Sequence, residues 1–203
     1  MVGIVNYGAG NLYSVRMAIK NCGYESCLIT GRGDAGEPDV LVLPGVGAFG
    51  DGMQNLRAGG LDVKIRKFIE CGKPFLGICL GLQLLFPRSE ESACGGLGIL
   101  EGSVIRLPDT GDIDIPHMGW NEVDWIDEPG LFCGGIPRDA CFYFAHSYHA
   151  APEDRNVVAA TTLYGRSFPS VLHYRNVTAV QFHPEKSGRH GLRFLHNFLE
   201  GAC

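Results

Sequence analysis

GICLGLQLLF, residues 77–86, places Cys79 between two glycines, at the point where an apolar run ends and an amphipathic segment begins. The run before the cysteine, KPFLGI, has the continuous apolar character of a strand that is covered on both faces. The segment after it, LGLQLLF, is predicted to be a helix that starts next to Cys79. A buried strand that turns directly into a helix is typical of α/β proteins, and it predicts that class here.

The chain on either side of this stretch extends the pattern and then changes it. In the first half, strand-like and helix-like segments alternate, which predicts a parallel sheet. The predicted strands are VGIVN (2–6), DVLVLPG (39–45) and KPFLGI (73–78), and the predicted helices are NLYSVRMAIKNC (11–22), LDVKIRKFIEC (61–71) and LGLQLLF (80–86). Asn11 is the expected N-terminal cap of the first of these helices. Beyond residue 97, strand-like segments follow one another, which predicts an antiparallel extension, and a last helix is expected over residues 190–201. No repeat or linker divides the sequence, so we expect residues 1–203 to form a single domain.

Composition and charge argue against several classes of protein. Hydrophobic residues make up 45% and charged residues 19% of the 203 residues, as in globular chains, and no apolar run approaches the ~20 residues that cross a bilayer. The net charge of −5, without a run of Lys or Arg, argues against nucleic acid as a partner. Because the amino terminus carries no secretion signal, we expect a cytoplasmic protein with reduced cysteines.

Two cofactor patterns are missing from the sequence. The cysteines lack the paired spacing of structural zinc sites, so no metal is expected. The stretch GAGNLY (8–13) begins like a dinucleotide-binding loop but has Tyr13 in the place of the third glycine. We therefore expect no cofactor.

Cys79 itself has two interpretations. A free cysteine after a buried strand is often a small packing residue without chemistry. The pattern Gly77-Ile78-Cys79-Leu80-Gly81, however, matches the nucleophile elbow G-x-S-x-G with sulfur in place of oxygen. A helix that begins at the elbow directs its free N–H groups and dipole toward the sulfur, which favours the nucleophilic thiolate.

A cysteine nucleophile needs a base, and His183 is the favoured candidate among the seven histidines. It ends the apolar segment VTAVQF and precedes Pro184, which biases it to extended geometry. Residues two apart in an extended chain share a side, so the Glu185 carboxylate is expected beside the His183 imidazole. The alternative is an ordinary turn after a strand, with the glutamate in water.

Acyl transfer to a thiol also needs hydrogen-bond donors for the developing oxyanion. The amide of Leu80 follows the nucleophile and is one candidate. The loop LPGVGAFGDG, residues 43–52, could supply a second amide, because its glycines let the backbone turn toward a ligand. Taken alone, this loop could equally be a glycine-rich turn without a function.

The stretches PGVGAFG, GICLGLQLLF and HPEKSG together resemble the triad (class I) glutamine amidotransferases. Four more, NYGAGNLYSV, SEES followed by GLGIL, PHMGWNEV and YFAHSYH, are similar to the glutaminase subunits of imidazole glycerol phosphate synthases. The resemblance runs from residue 2 to the final helix. The chain departs from it at Asn6, where an aspartate is frequent, and at Ala145, where a bulkier apolar residue is expected.

The resemblance implies a flavodoxin-like three-layer α/β sandwich with a central, mostly parallel sheet and an antiparallel extension. It also implies the hydrolysis of glutamine to glutamate and ammonia without a cofactor. In such enzymes the ammonia passes to a separate (β/α)₈ cyclase subunit, with which the glutaminase forms a heterodimer. The cyclase then makes imidazole glycerol phosphate and an aminoimidazole carboxamide ribotide for histidine biosynthesis.

The same resemblance assigns roles to residues of this chain. Cys79 is the expected nucleophile, His183 the acid and base, and Glu185 the residue that orients His183. The expected oxyanion donors are the amides of Val46 and Leu80, the expected substrate-binding residues are Gly45, Gly47, Gln83, His146, Ser147 and Tyr148, and the expected partner-interface residues are Asn11 and Lys186.

Two alternatives stay open at this point. The chain could be the glutaminase of another synthase, such as those that form pyridoxal phosphate, anthranilate or aminodeoxychorismate. PHMGWN and YFAHSY weigh against that interpretation. It could also be a noncatalytic relative that only binds partners, which the presence of Cys79, His183 and Glu185 disfavours.

Overall fold

The computed structural model describes residues 1–31, 37–109, 111, 113–126 and 132–202. Its strands are β1 (Val2–Val5), β2 (Ser26–Ile29), β3 (Val40–Gly45), β4 (Phe75–Cys79), β5 (Gly102–Arg106), β6 (His117–Glu122), β7 (Asp124–Trp125), β8 (Cys141–His146), β9 (Tyr148–Pro152), β10 (Val158–Tyr164), β11 (Arg166–Tyr174) and β12 (Val177–Val180). Its α-helices are α1 (Leu12–Asn21), α2 (Phe49–Ala58), α3 (Leu61–Glu70), α4 (Leu80–Gln83) and α5 (Gly188–Ala202). Short 3-10 helices cover Arg155–Val157 and Pro184–Lys186.

The main sheet has the strand order β2-β1-β3-β4-β12-β11-β10-β7. Strand β1 pairs in parallel with β2 and β3, and β4 pairs in parallel with β3 and β12. From β12 onward the pairing is antiparallel, through β11 and β10 to β7. The pairs β5 with β9 and β6 with β8 are also antiparallel and lie outside this sheet. The predicted parallel sheet with an antiparallel extension is therefore confirmed.

Each face of the parallel strands carries its own hydrophobic core, because successive side chains of a strand point to opposite faces. On β3, Val40 and Val42 lie in one core, and Leu41 and Leu43 lie in the other. The first core includes apolar residues of α1 and α5, and the second includes those of α2 and α3. Helices on both faces of one sheet form the three-layer sandwich that the resemblance implied.

Helix α1 begins as its sequence predicts. The Asn11 side-chain oxygen accepts a hydrogen bond from the backbone N–H of Ser14 at 3.2 Å, which satisfies one of the free donors of the first turn. Gly23 follows the helix with φ +90°, a conformation that glycine adopts without steric cost. The predicted Asn11 cap is therefore confirmed.

The helix after Cys79 is shorter than predicted, since α4 covers Leu80–Gln83 and not residues 80–86. The N–H groups of Leu85 and Phe86 bond to carbonyls three residues back, as in a tighter turn. Residues 80–86 are all buried, so tertiary packing rather than an amphipathic face determines their path. Pro87 follows, and a residue that precedes proline is disfavoured in the helical region.

Strand β2 and helix α2 were not predicted from the sequence. Strand β2 lies at the edge of the sheet, and its side chains are mostly only partly buried, so it has no clear apolar pattern. Helix α2 contains Gly50 and Gly52, which lower helix propensity and suggested a turn instead. Burial of Phe49, Met53 and Leu56 in the second core stabilises this helix despite its glycines.

Parallel pairing brings the chemically important segments to one edge of the sheet. Gly45, the last residue of β3, pairs with Cys79, the last residue of β4. Val180, at the end of β12, pairs with Ile78 on the other side of β4, so the chain beyond Val180 passes close to Cys79. Open α/β sheets place their sites at the carboxyl ends of such strands. Among the described residues, no helix is long and apolar enough to cross a bilayer.

Candidate active site

Cys79 occupies a strained turn between β4 and α4. Its backbone has φ 53° and ψ −105°, a region that L-residues rarely adopt and that costs ~1–3 kcal/mol. The flanking glycines are required sterically. A Cβ on Gly77 would lie 2.8 Å from the carbonyl oxygen of Gly81, and a Cβ on Gly81 would collide with the carbonyl oxygen of Leu43. The geometry is that of a nucleophile elbow.

The contribution of a helix dipole at Cys79 is smaller than the sequence suggested. Because α4 has four residues, few peptide dipoles are aligned toward the sulfur. The local donor that remains is the amide of Leu80, which directly follows Cys79. Stabilisation of a charged sulfur must therefore come mainly from neighbouring side chains.

His183 and Glu185 form a buried pair beside the end of β12. His183 Nδ1 lies 2.9 Å from Glu185 Oε1, and their side chains are 2% and 3% exposed. His183 is extended, as expected before a proline, but Glu185 lies in the 3-10 helix Pro184–Lys186, so the extended i, i+2 arrangement was wrong for this residue. The tight turn of that helix returns the carboxylate to the imidazole ring.

A second set of contacts fixes this turn against β8. The N–H of His183 donates to the carbonyl of Tyr143 at 2.8 Å. The Ser187 hydroxyl donates to the carbonyl of His183 at 2.6 Å and accepts from the N–H of Tyr143 at 2.9 Å. His183 is therefore held by strand β8 as well as by its own local chain.

The charges around His183 favour its protonated form. Burial alone lowers the pKa of His183, but negative charge on the Cys79 sulfur and on the Glu185 carboxylate outweighs it and raises the pKa to about 10. Since a carboxylate oxygen only accepts, the Nδ1 atom carries a proton that it donates to Glu185. Nε2 is buried and has no hydrogen-bond partner among the described residues. That atom is free to exchange a proton with a reacting group.

The cysteine opens into a cavity of about 220 Å³. Its lining residues come from the β3–α2 loop, the elbow, residue 91, the start of β6 and the β8–β9 region: Val46, Gly47, Cys79, Leu80, Gln83, Glu91, Pro116, Met118, Ala145, His146, Ser147 and Tyr148. Both expected oxyanion residues, Val46 and Leu80, lie on this wall. So do five of the six expected substrate-binding residues.

Gly45 and Gly47 differ in their relation to the cavity. Gly47 lines it with φ +102°, a conformation that requires glycine, although a Cβ there would meet no other atom within 4 Å. Gly45 does not line the cavity. A Cβ on Gly45 would lie 2.8 Å from Cβ of Leu80 and would collide with the hydroxyl of Tyr7, so this glycine permits close packing behind the elbow.

The expected interface residues lie outside the cavity and are exposed. Asn11 caps α1, and Lys186 ends the 3-10 helix that contains Glu185. The Lys186 ammonium lies 5.7 Å from the centre of the Tyr143 ring. Trp120, which is 57% exposed, packs edge-on against the same ring at 6.0 Å.

Two further residues of the site received no role from the sequence. Glu91 lines the cavity, and its Oε2 accepts a hydrogen bond from the N–H of Phe49, the first residue of α2, at 2.7 Å. Gln181 Nε2 lies 3.6 Å from the Cys79 sulfur. Only the position of Glu91 in SEES, a stretch of the family resemblance, could have drawn attention to it. No local pattern distinguishes Gln181.

His146 lies in a buried pair with His117. His117 Nδ1 is 3.0 Å from His146 Nε2, and His146 Nδ1 is 2.9 Å from the carbonyl oxygen of Tyr148. Burial lowers the pKa of His117 to about 4 and that of His146 to about 3, so both rings are neutral near pH 7. Within the described residues, no group of three or more His, Cys, Asp or Glu could hold a metal ion.

Solved structures share the fold of this chain. PurLQS from Thermotoga maritima superposes with a TM-score of 0.76 at 18% identity, covering 98% of this chain and 97% of that one. A structure described as a glutamine amidotransferase superposes with a TM-score of 0.75 at 22% identity, covering 99% and 98%. At these identities the likeness establishes the fold alone.

Sequence relatives define the family more narrowly. The family described as "Glutamine amidotransferase class-I" matches residues 4–202. The chain is 48% identical over 204 residues to "Imidazole glycerol phosphate synthase subunit HisH" of Syntrophotalea carbinolica, covering 98% of each chain. It is 49% identical to the protein of that name from Aquifex aeolicus, covering 98% of this chain and 96% of the relative. The chain therefore belongs to the class-I glutamine amidotransferases and, within them, to the HisH subunits of imidazole glycerol phosphate synthase.

Proposed function

We propose that this chain hydrolyses glutamine to glutamate and ammonia and delivers the ammonia to a separate cyclase subunit. The cyclase, a (β/α)₈ barrel, would use it to form imidazole glycerol phosphate and an aminoimidazole carboxamide ribotide in histidine biosynthesis. The observation that carries the proposal is the buried His183–Glu185 pair beside a cysteine whose backbone has the strained geometry of a nucleophile elbow. The family of the chain supports the same activity.

The cavity next to Cys79 suits a small polar substrate. Its volume of about 220 Å³ is enough for an amino acid, and polar residues such as Gln83, Glu91 and Ser147 line it. The carboxylate of Glu91 offers negative charge to the substrate ammonium group. The β8–β9 backbone near His146, Ser147 and Tyr148, with Gln83, would hold the remainder of the glutamine molecule.

In the proposed reaction, Cys79 is the nucleophile and His183 is the acid and base. The thiolate attacks the side-chain amide carbon of glutamine, and the amides of Leu80 and Val46 donate to the oxyanion. His183 transfers its Nε2 proton to the departing nitrogen, so ammonia leaves and a γ-glutamyl thioester remains. His183 then takes a proton from water, and the resulting hydroxide attacks the thioester. Glutamate leaves, which restores the Cys79 thiolate beside the His183 imidazolium.

Exposed apolar side chains around the cavity support a docking surface for the cyclase. Val46 and Met118 line the cavity and are 44% and 65% exposed, and Trp120 is 57% exposed on the same strand as Met118. Clusters of this kind mark protein–protein interfaces. A partner on this surface would cover the mouth of the cavity, so ammonia could pass between the subunits without entering bulk water.

The test is to measure glutamate release by the purified chain, alone and with a cyclase subunit of a HisH-containing synthase. We expect slow release by the isolated chain and much faster release when the cyclase and its nucleotide ligand are present. Equal stimulation by the synthases of pyridoxal phosphate, anthranilate or aminodeoxychorismate would contradict the proposed partner. No glutamate release under any of these conditions would favour a noncatalytic role.

Replacing Lys186 by alanine should weaken assembly with the cyclase by roughly tenfold or more. An interfacial charge pair shielded from water can contribute a few kcal/mol, whereas an exposed pair contributes ~0–1 kcal/mol. The measurements are the dissociation constant of the complex and the stimulation of glutaminase turnover. Alkylation of Cys79 in the isolated variant should not change, because Lys186 lies outside the cavity.

The matched control is Lys67→Ala, which removes an exposed lysine of α3 on the other layer of the sandwich. That variant should assemble normally. If Lys186→Ala and Lys67→Ala both assemble and respond like the unmodified chain, Lys186 has no role at the interface. High glutaminase activity in the isolated chain would argue against control by the partner.

A further inference from the structure

The side chain of Gln181 is fully buried and contacts the sulfur of Cys79. Gln181 directly follows β12, is 0% exposed, and places its Nε2 3.6 Å from Cys79 Sγ. Its backbone N–H donates to the carbonyl of Ser170 at 2.9 Å, which anchors the residue to β11. The amide therefore approaches the nucleophile from the interior of the protein, not from the cavity wall.

The orientation of the Gln181 amide follows from its neighbours. Gln83 Nε2 lies 2.8 Å from the carbonyl oxygen of Tyr148 and 3.3 Å from Gln181 Oε1. A backbone carbonyl can only accept, so Gln83 must present its NH₂ group to Tyr148. That NH₂ group then requires an acceptor on Gln181. Gln181 consequently directs its oxygen to Gln83 and its NH₂ group to the sulfur.

The carbonyl oxygen of Tyr148 also accepts a second hydrogen bond, from His146. His146 is neutral, because burial lowers its pKa to about 3, and its Nδ1 must carry the proton that it donates to Tyr148. Its Nε2 then accepts from His117 Nδ1 at 3.0 Å. His117 is stacked between Phe144 and Tyr164, at centroid distances of 4.8 and 3.9 Å. These contacts fix the acceptor on which the amide orientation depends.

We propose that Gln181 is a catalytic residue that donates a hydrogen bond to the Cys79 thiolate, a role that rests on the glutaminase function proposed above. Two titratable groups, His183 and Tyr7, also interact with the charge of this sulfur. Its other close polar neighbour is the carbonyl of Ala145 at 3.8 Å, to which only the protonated thiol can donate. Ionisation of Cys79 removes the S–H donor, so the hydrogen bond to the Ala145 carbonyl is lost. The hydrogen bond from Gln181 becomes stronger, because the sulfur that accepts it is now charged. Gln181 therefore favours the nucleophilic form before substrate arrives.

The direct test is the pH profile of Cys79 alkylation in the isolated chain. Rates of iodoacetamide modification are followed across the pH range by mass spectrometry of the Cys79 peptide, which separates it from the other cysteines. Gln181→Met keeps the approximate volume and removes the donor, so the midpoint of the profile should move up by about one pH unit, the scale of a charge-assisted hydrogen bond. Gln181→Glu places a negative charge beside the sulfur and should move the midpoint further in the same direction.

Ser170→Ala is the matched control. Ser170 is 0% exposed, its hydroxyl has no hydrogen-bond partner among the described residues, and its carbonyl contact to Gln181 is retained in the variant. It should reproduce the profile of the unmodified chain. Equal midpoints in all four proteins, or an equal shift in Ser170→Ala and Gln181→Met, would overturn the proposal.

A second measurement separates this role from substrate binding. With the cyclase present and at a pH below the alkylation midpoints, Gln181→Met should lower kcat for glutamine hydrolysis by about tenfold, as one pH unit of thiol ionisation implies in that range, and leave KM unchanged. A raised KM with unchanged kcat would contradict a contact to the sulfur. The alkylation profile uses neither glutamine nor a partner. A shifted profile without any glutaminase activity in the unmodified complex would therefore refute the proposed function and retain the N–H···S contact.

Discussion

Replacing Cys79 by alanine is expected to abolish glutamine hydrolysis, with a loss of at least about 10⁴-fold in turnover, because no thioester can form without the sulfur. The cyclase reaction should continue at its normal rate when ammonium is added, since that half of the reaction needs no cysteine of this chain. The measurements are glutamate release and nucleotide product formation by the same complex. If the variant complex uses ammonium but not glutamine, only glutamine hydrolysis has been lost, as expected when the nucleophile is removed.

Two controls accompany this prediction. Cys71→Ala, which removes an exposed cysteine at the end of α3, should retain full glutamine-dependent activity. An electrophilic glutamine analogue should label Cys79 in the unmodified protein, as determined by peptide mapping. Labelling of Cys22, Cys94 or Cys141 with Cys79 untouched would show that the wrong sulfur has been assigned.

His183→Ala is expected to lower glutamine turnover by roughly 10³–10⁴-fold, because the leaving nitrogen and the attacking water then lack a proton carrier. The double variant Cys79→Ala with His183→Ala should be little worse than Cys79→Ala alone, since residues that act as one unit are not additive. Glu185→Gln should retain more activity than His183→Ala, because the base remains present and loses only its charged acceptor. Steady-state kinetics of the four proteins in complex with the cyclase test this order.

An independent measurement follows the protonation of the His183 ring by NMR. In the unmodified chain the raised pKa of about 10 predicts an imidazolium throughout the neutral range. Because negative charge at Cys79 is the first of the effects that raise this pKa, the ring in Cys79→Ala should lose its proton at lower pH. Equal and additive losses from all substitutions, with an unchanged His183 titration, would show that these residues do not form one catalytic group.

Much of the main architecture followed from local patterns. The continuous apolar runs at β3 and β4, the Asn11 cap and the shift from alternating elements to successive strands are all properties of neighbouring residues, and each led to the observed structure. Helix α2 and strand β2 were missed because their local signals are weak. Helix α2 contains two glycines, and strand β2 is only partly buried. Tertiary packing stabilises the helix and strand pairing stabilises β2, and a short stretch of sequence does not include the residues that provide either.

The features of the candidate site also fall into two groups, those that local sequence predicts and those that only the tertiary structure shows. By itself the sequence determined the elbow at Cys79 and the approach of His183 to Glu185, because a strained turn between glycines and an interaction across two residues are local events. The tertiary structure alone decided that α4 ends at Gln83, since its surroundings are buried on every side. It also decided the contacts of Glu91 with Phe49 and of Gln181 with Cys79, which join residues 42 and 102 positions apart. Such contacts depend on strand order and on the packing of the core, and a linear pattern of residues carries neither.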